Sequence, residues 1–193
     1  MRIYGPEVAE VADQLVEVYG EVFTVPPWNE GAGAAEEYRE RLEADRLRPG
    51  FRVAVAASGG EVDGYASGWT TPDPFPAERA YGRVAAQAGA RRTEQLLVGA
   101  FQVDELAVRE RARRTGLGRR LLEAILAAAA PNGRAWLLTG RNAPEAMAFY
   151  RRCGWHEVAP VPGADGGEVA VFLAPGHPDA SDSGYAQDAQ APR

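Results

Sequence analysis

The sequence predicts an α/β protein built on a mixed β-sheet, and three observations carry that prediction. Apolar residues recur at helical spacing over 6–20, 34–46 and 117–130. Shorter runs over 51–56, 62–70, 101–108 and 134–139 alternate or are continuously apolar, as strands are. The order of these segments calls for antiparallel and parallel pairing within one sheet: helices, then a hairpin, then strand, helix, strand, helix and closing strands. The 193 residues suit one domain, and 46% hydrophobic with 25% charged residues is ordinary for a globular chain.

Pro6 fits the first turn of a helix in which Val8, Val11, Leu15 and Val18 share a face, and Gly20 is placed to end it. A loop through Pro26, Pro27, Trp28 and Asn29 precedes a second helix over 34–46, which Pro49 and Gly50 close. Phe51, Val53 and Val55 mark a strand that turns at Ser58, Gly59 and Gly60 and returns over 62–70. Residues 71–99 open with Pro72, Pro74 and Pro76. A structureless loop of that length is improbable inside a compact domain, so the stretch reads as a helical insertion that covers something. A strand over 101–108 leads to a helix over 117–130, stopped by Pro131, Asn132 and Gly133. A buried strand follows over 134–139. Asn142 fits an N-cap, with Pro144 in the first turn and Gly154 beyond the end. Strands over 155–158 and 169–173 complete a domain spanning 1–175. Residues 176–193 hold too little apolar material to pack and are expected to be disordered.

The net charge of −6 disfavours nucleic acid as a partner. No stretch approaches a membrane span, and the N-terminus lacks the apolar run of a signal peptide. Cys153 is the single cysteine, which fits a reducing cytoplasm. His156 and His177 lie far from any acid cluster with ligand spacing, so no metal is expected. Cys153 reads as a small buried hydrophobe rather than a nucleophile.

The informative inversion of charge lies between Arg109 and Arg120, where six arginines gather in an otherwise acidic chain. A strand there leads through Gly116 and Gly118 into a helix. The first N–H groups of a helix lack internal partners and favour an anion, and glycine lets a phosphate approach the backbone. Neither a P-loop nor a dinucleotide fingerprint is present.

Leu106-Ala107-Val108, followed by Arg113-Arg114-Thr115-Gly116-Leu117-Gly118 and an amphipathic helix, resembles the cofactor motif of the GNAT superfamily of N-acetyltransferases. Residues 142–155, beginning at Asn142 and ending in Tyr150, Arg151, Arg152, Cys153, Gly154 and Trp155, resemble that superfamily's second motif. The resemblance covers roughly residues 100–156, and residues 71–99 depart from the minimal pattern. It implies a GNAT-like mixed central sheet flanked by helices in a single domain. It further implies acetyl-CoA as co-substrate and transfer of its acetyl group to a primary amine by direct attack in a ternary complex.

The resemblance also implies roles for particular residues. The backbones of Leu106, Ala107 and Val108 would pair with the pantetheine arm like an extra strand, and the Val108 N–H would polarise the thioester carbonyl. Arg113, Arg114, Thr115, Gly116, Leu117, Gly118 and Arg119 would hold the pyrophosphate through backbone amides. Asn142 would help hold the cofactor arm, and Tyr150 would donate to the departing sulfur. An acid two residues before the apolar triplet, Asp104, ranks first as base, and Glu105 second. In a regular strand these neighbours point to opposite faces, and Gln102 shares the face of Asp104. Phe23, Trp28 and Tyr38 lie where this fold builds its acceptor pocket, and Gln102 is a further candidate to line it. The acceptor stays open between a small-molecule amine and a protein N-terminal or side-chain amine, and a homodimer stays open too. A non-catalytic acyl-CoA-binding sensor is the competing reading. An enzyme that acylates oxygen or uses a longer acyl chain is a third.

Overall fold

The computed structural model describes residues 1–78, 80–162 and 168–180. The chain opens with strand β1 (Arg2–Tyr4), a 3-10 segment (Pro6–Val11), and helices α1 (Ala12–Phe23) and α2 (Ala34–Asp45). Strands β2 (Arg52–Ser58) and β3 (Glu61–Thr70) form a hairpin. Helix α3 (Tyr81–Ala88), the short turn α4 (Ala90–Arg92) and a π-helical turn (Thr93–Leu97) occupy most of 71–99. Strand β4 (Phe101–Val108), helix α5 (Leu117–Ala129), strand β5 (Ala135–Gly140) and helix α6 (Pro144–Arg152) follow, then β6 (His156–Glu157) and β7 (Val169–Leu173).

Among the described residues the sheet has seven strands, in the order β1-β2-β3-β4-β5-β7-β6. Among the described residues only β4 and β5 pair in parallel; the other neighbours are antiparallel. The mixed α/β sheet expected from the sequence is the one observed. Its two faces are covered differently. On one face α1 and α2 pack over the β1–β4 half, burying Leu15, Tyr19, Tyr38 and Leu42 against Val53, Val55, Tyr65 and Trp69. The inserted helices cover the β5–β7 half through Tyr81, Val84, Leu96 and Leu97 against Trp136, Val171 and Leu173. On the other face α5 lies across β2, β3 and β4, with Leu121, Leu122 and Ile125 against Ala54, Ala66 and Val103. The first face therefore has two separate covers, and they meet over β4.

Several local expectations change. The helix foreseen over 6–20 begins as a 3-10 segment, and the α-helix runs from Ala12 to Phe23 without stopping at Gly20. Gly20 serves packing instead. A Cβ there would lie 3.3 Å from the Ala35 Cβ, so glycine lets α1 and α2 approach closely. β1, too short to show a period, pairs Tyr4 with Val53. The disorder expected for 176–193 does not describe its first residues. His177 is buried, with Nε2 3.0 Å from the Leu96 carbonyl, and Asp179 pairs with Arg134 at 3.3 Å. Residues 181–193 lie outside the described residues.

Candidate active site

The site begins where β4 and β5 separate. Their pairing runs from Phe101↔Ala135 to Val103↔Leu137 and stops there, although β4 continues to Val108 and β5 to Gly140. Among the described residues, no strand pairs with the β5-side edge of 104–108. Such an edge presents unpaired N–H and C=O groups to an extended ligand.

A bulge coincides with the split. Ser67 pairs with Glu105 and Gly68 with Val103, so Asp104 is an extra residue in β4. The bulge reverses the alternation of faces. Phe101 and Val103 face the α5 cluster, and so do Leu106 and Val108, while Ala107 faces α1 and α2. The expectation that Asp104 and Glu105 point to opposite faces therefore fails. The Glu105 Oε1 lies 3.4 Å from Arg41 Nη2 on α2, and Gln102 Nε2 donates to Asp104 Oδ1 at 3.1 Å. The charges of both acids act on Arg41 and Tyr38 of α2.

The arginine-rich turn follows directly. Gly116, at φ +79°, is the left-handed residue that starts α5, and Arg114 sits at φ +62°. An L residue with positive φ costs about 1 kcal/mol, so the turn holds a strained shape. Thr115 Oγ1 donates to the Ala112 carbonyl at 2.8 Å and Arg113 Nε to the Val108 carbonyl at 3.1 Å, which fastens the turn to the end of β4. Half of the six arginines are tied to carboxylates. Buried Arg109 pairs with Glu21 at 2.6 Å and Glu17 at 3.1 Å on α1; Arg111 pairs with Glu61 and Asp63, and Arg119 with Glu123. Arg113, Arg114 and Arg120 have no carboxylate partner among the described residues, so they supply the local positive field. A cleft of about 610 Å³ opens beside the turn, lined in part by Ser58, Asp63, Thr115 and Arg120. Gly118 does a different job from Gly116. A Cβ there would lie 3.2 Å from Phe149 Cζ, so glycine lets the first turn of α5 seat against α6.

Tyr150 lies on α6, its ring 5.8 Å from Phe172 and 6.1 Å from Trp155. Burial first, then the negative charge of Glu105, pushes its hydroxyl above the usual phenol range, so it stays neutral and able to donate. Glu105 therefore lies within electrostatic reach of both Tyr150 and the α1–α2 cover. Asn142 does not cap α6. The helix starts at Pro144, Ala143 holds the cap position, and no side chain caps it. The Asn142 amide folds back over β5 instead, where a Cβ on Gly140 would fall 2.3 Å from its Oδ1. The Trp28 ring reaches the same point, 4.0 Å from that Cβ position, so the 24–33 loop touches the end of β5.

Of the four residues expected to line the acceptor pocket, only Trp28 is partly exposed. Phe23 and Tyr38 are buried, with Tyr38 stacked 4.1 Å from Tyr19. Gln102 is buried as well, and its amide is engaged by Tyr81 and Asp104. The structure brings in residues the sequence did not single out. Arg41 donates to the Tyr19 hydroxyl at 2.8 Å, Tyr19 donates to Glu30 at 2.7 Å, and the guanidinium lies 5.3 Å over the Tyr19 ring. The i, i+3 spacing of Tyr38 and Arg41 on α2 was the available signal. Among the described residues, no group of His, Cys, Asp and Glu side chains is placed to hold a metal ion.

A split parallel strand pair, a bulge beside two acids, and a glycine-started helix N-terminus thus lie side by side in an α/β fold. The chain belongs to the acetyltransferase (GNAT) domain family, whose profile matches residues 49–157. No curated protein sequence matches it. Among solved structures it is similar to an acetyltransferase from Thermus thermophilus, with 19% identity, 90% of this chain and 96% of that chain covered, and a TM-score of 0.60. It is also similar to a ribosomal-protein-alanine N-acetyltransferase from Brucella melitensis (23% identity, 89% and 96% covered, TM-score 0.56). A third is the PaiA N-acetyltransferase from Thermoplasma acidophilum in complex with coenzyme A (14% identity, 90% and 99% covered, TM-score 0.55). At these identities the likeness is one of fold.

Proposed function

We propose that this chain is an acetyl-CoA-dependent N-acetyltransferase that acts on a primary amine by direct attack in a ternary complex. The observation that carries the reading is the continuity of the unpaired β4 edge with the glycine-started N-terminus of α5. A pantetheine arm is a chain of amides that can pair with such an edge, and its pyrophosphate suits a helix N-terminus. The residues present fit that ligand. The backbones of Leu106, Ala107 and Val108 would hold the arm. The amides from Arg113 to Arg119, with the side chains of Arg113 and Arg114, would hold the phosphates. Asn142, exposed at the end of β5, would steady the arm from across the split.

Acetyl-CoA supplies an activated acyl group whose thioester carbonyl accepts an amine nitrogen. The chain's own residues do the rest. Asp104 takes a proton from the acceptor ammonium, which is mostly charged near neutrality. The Val108 N–H donates to the carbonyl oxygen as negative charge builds there. Tyr150 donates a hydrogen bond to the leaving sulfur. Its raised pKa makes it a hydrogen-bond donor rather than a strong acid. Glu105, whose Oε1 lies 3.4 Å from Arg41 Nη2, is the second candidate for the base. Trp28, at the mouth of the split, contacts the acceptor. A single cysteine means that the fold needs no oxidising compartment, which supports a cytoplasmic setting. None of the described helices is long and apolar enough to cross a membrane.

The test is a CoA-release screen with acetyl-CoA across polyamines, aminoglycosides, free amino acids and peptide N-termini. Release with at least one amine is expected, and it should fall sharply in Asp104→Asn. Release in Asp104→Asn at the wild-type rate, with loss in Glu105→Gln, would move the base to Glu105. No release with any amine would remove the enzymatic reading.

A further inference from the structure

The 71–99 insertion is joined to the acid pair by a hydrogen-bonded chain that the reaction scheme does not use. Trp69 Nε1 on β3 donates to the Tyr81 hydroxyl at 3.2 Å. Tyr81, the first residue of α3, donates to Gln102 Oε1. Gln102 Nε2 donates to Asp104 Oδ1 at 3.1 Å. Trp69, Tyr81 and Gln102 are all at most 2% exposed, so the chain runs inside the protein. Its polarity is set at the Asp104 end, and the indole donor is compatible with it. An indole N–H can only donate, and a carboxylate can only accept. The Gln102 amide must therefore turn its NH₂ to Asp104 and its oxygen to Tyr81. A flipped amide would set oxygen against oxygen at Asp104 and give up the Tyr81 hydrogen bond to Gln102 Oε1. The phenol is thus the lock that holds the amide in the one orientation useful to the acid.

We propose that Tyr81 is a positioning residue for the acyl transfer, acting through Gln102 to fix the orientation of the Asp104 carboxylate at the β4 bulge. The inference rests on the assignment of Asp104 as the base. The insertion then has a structural task. It plants a phenol beneath the sheet's second cover, where α1 and α2 do not reach, and Phe75 braces that phenol edge-on at 5.2 Å. The arrangement follows the logic of a base oriented by a second group, which is itself oriented by a third. A hydrogen bond to the charged form also favours the ionised carboxylate. Among the described residues the charged and titratable neighbours that act with it are Arg41 and Tyr38 of α2, Glu105 beside it, and Tyr81.

The test compares Tyr81→Phe and Gln102→Leu with Leu96→Val, a packing change elsewhere in the same insertion. Two readouts are taken: the ¹³C-carboxyl titration of Asp104 by NMR, and the pH dependence of kcat/KM. Tyr81→Phe and Gln102→Leu should raise the Asp104 titration midpoint by about half a unit. They should lower kcat roughly five- to tenfold while leaving acetyl-CoA affinity within about twofold, since a loosened base still binds the donor. Leu96→Val should lose stability without moving the titration. If Tyr81→Phe does not fold, Gln102→Leu carries the same comparison, because it cuts the chain one link nearer the acid. An unchanged Asp104 midpoint in the folded Tyr81 and Gln102 variants, or an equal shift in Leu96→Val, overturns the proposal. The NMR readout needs no turnover, so it stands apart from the outcome of the CoA-release screen.

Discussion

Replacing Tyr150 by Phe removes one oxygen from a ring that otherwise keeps its packing against Phe149, Trp155 and Phe172. Among the described residues its hydroxyl makes no hydrogen bond in the free protein, so the fold should lose less than about 0.5 kcal/mol. The effect should fall on the reaction. A hydrogen bond to a group carrying charge contributes about 1.5–3 kcal/mol, which is roughly 10- to 150-fold in kcat. Burial and then the charge of Glu105 raise the pKa of this phenol. Because that pKa is raised, deprotonation of Tyr150 should add no alkaline limb to the rate profile below the usual phenol range. The assay is steady-state CoA release, with acetyl-CoA affinity measured separately by calorimetry. A Phe variant with wild-type kcat would refute the donor role. A variant that lost acetyl-CoA affinity in step with kcat would show a binding role instead.

Gly118→Ala should gain helix propensity and lose packing, because the new methyl meets Phe149 Cζ at 3.2 Å. Both effects are about 1 kcal/mol, so the melting temperature should move little. Acetyl-CoA should nonetheless bind several-fold more weakly as the α5 start shifts, and Phe149→Leu in the same chain should restore binding. Burial holds the His177 imidazole below its usual pKa, with Nδ1 accepting from the Asp179 N–H at 3.1 Å. The unfolded chain binds that proton first, from about pH 6.5 downward. Stability from this site is therefore present above that value and lost as pH falls through the lower folded value. Urea melts of His177→Gln should show a shallower decline than wild type across that window; equal slopes would exclude His177 as the source.

The parts of the fold that were legible in the sequence share one property, a clean period bounded by turn residues. β4, α2 and α5 fall within a residue of expectation because Leu121, Leu122 and Ile125, or Phe101 and Val103, repeat at the spacing of their element. The β4 bulge was not legible. Asp104-Glu105 reads as regular alternation, and only the pairing of Gly68 with Val103 reveals the extra residue. The site inherited that error, since two acids assigned to opposite faces share one. The arginine cluster was overread for a related reason. Charge along the chain does not tell which guanidinium will meet Glu17 and Glu21 on a helix about ninety residues earlier. Tyr81 was invisible because it starts a helix while its partners, Trp69 and Gln102, lie on two separate strands.

Calorimetric titration of the protein with acetyl-CoA tests the central claim most directly, that the β4 edge and the α5 start form one ligand site. One molecule should bind per chain, and Arg113→Ala combined with Arg114→Ala should weaken binding about tenfold or more and reduce its dependence on salt. No binding of acetyl-CoA, or binding that the double variant leaves unchanged in strength and salt dependence, would contradict it.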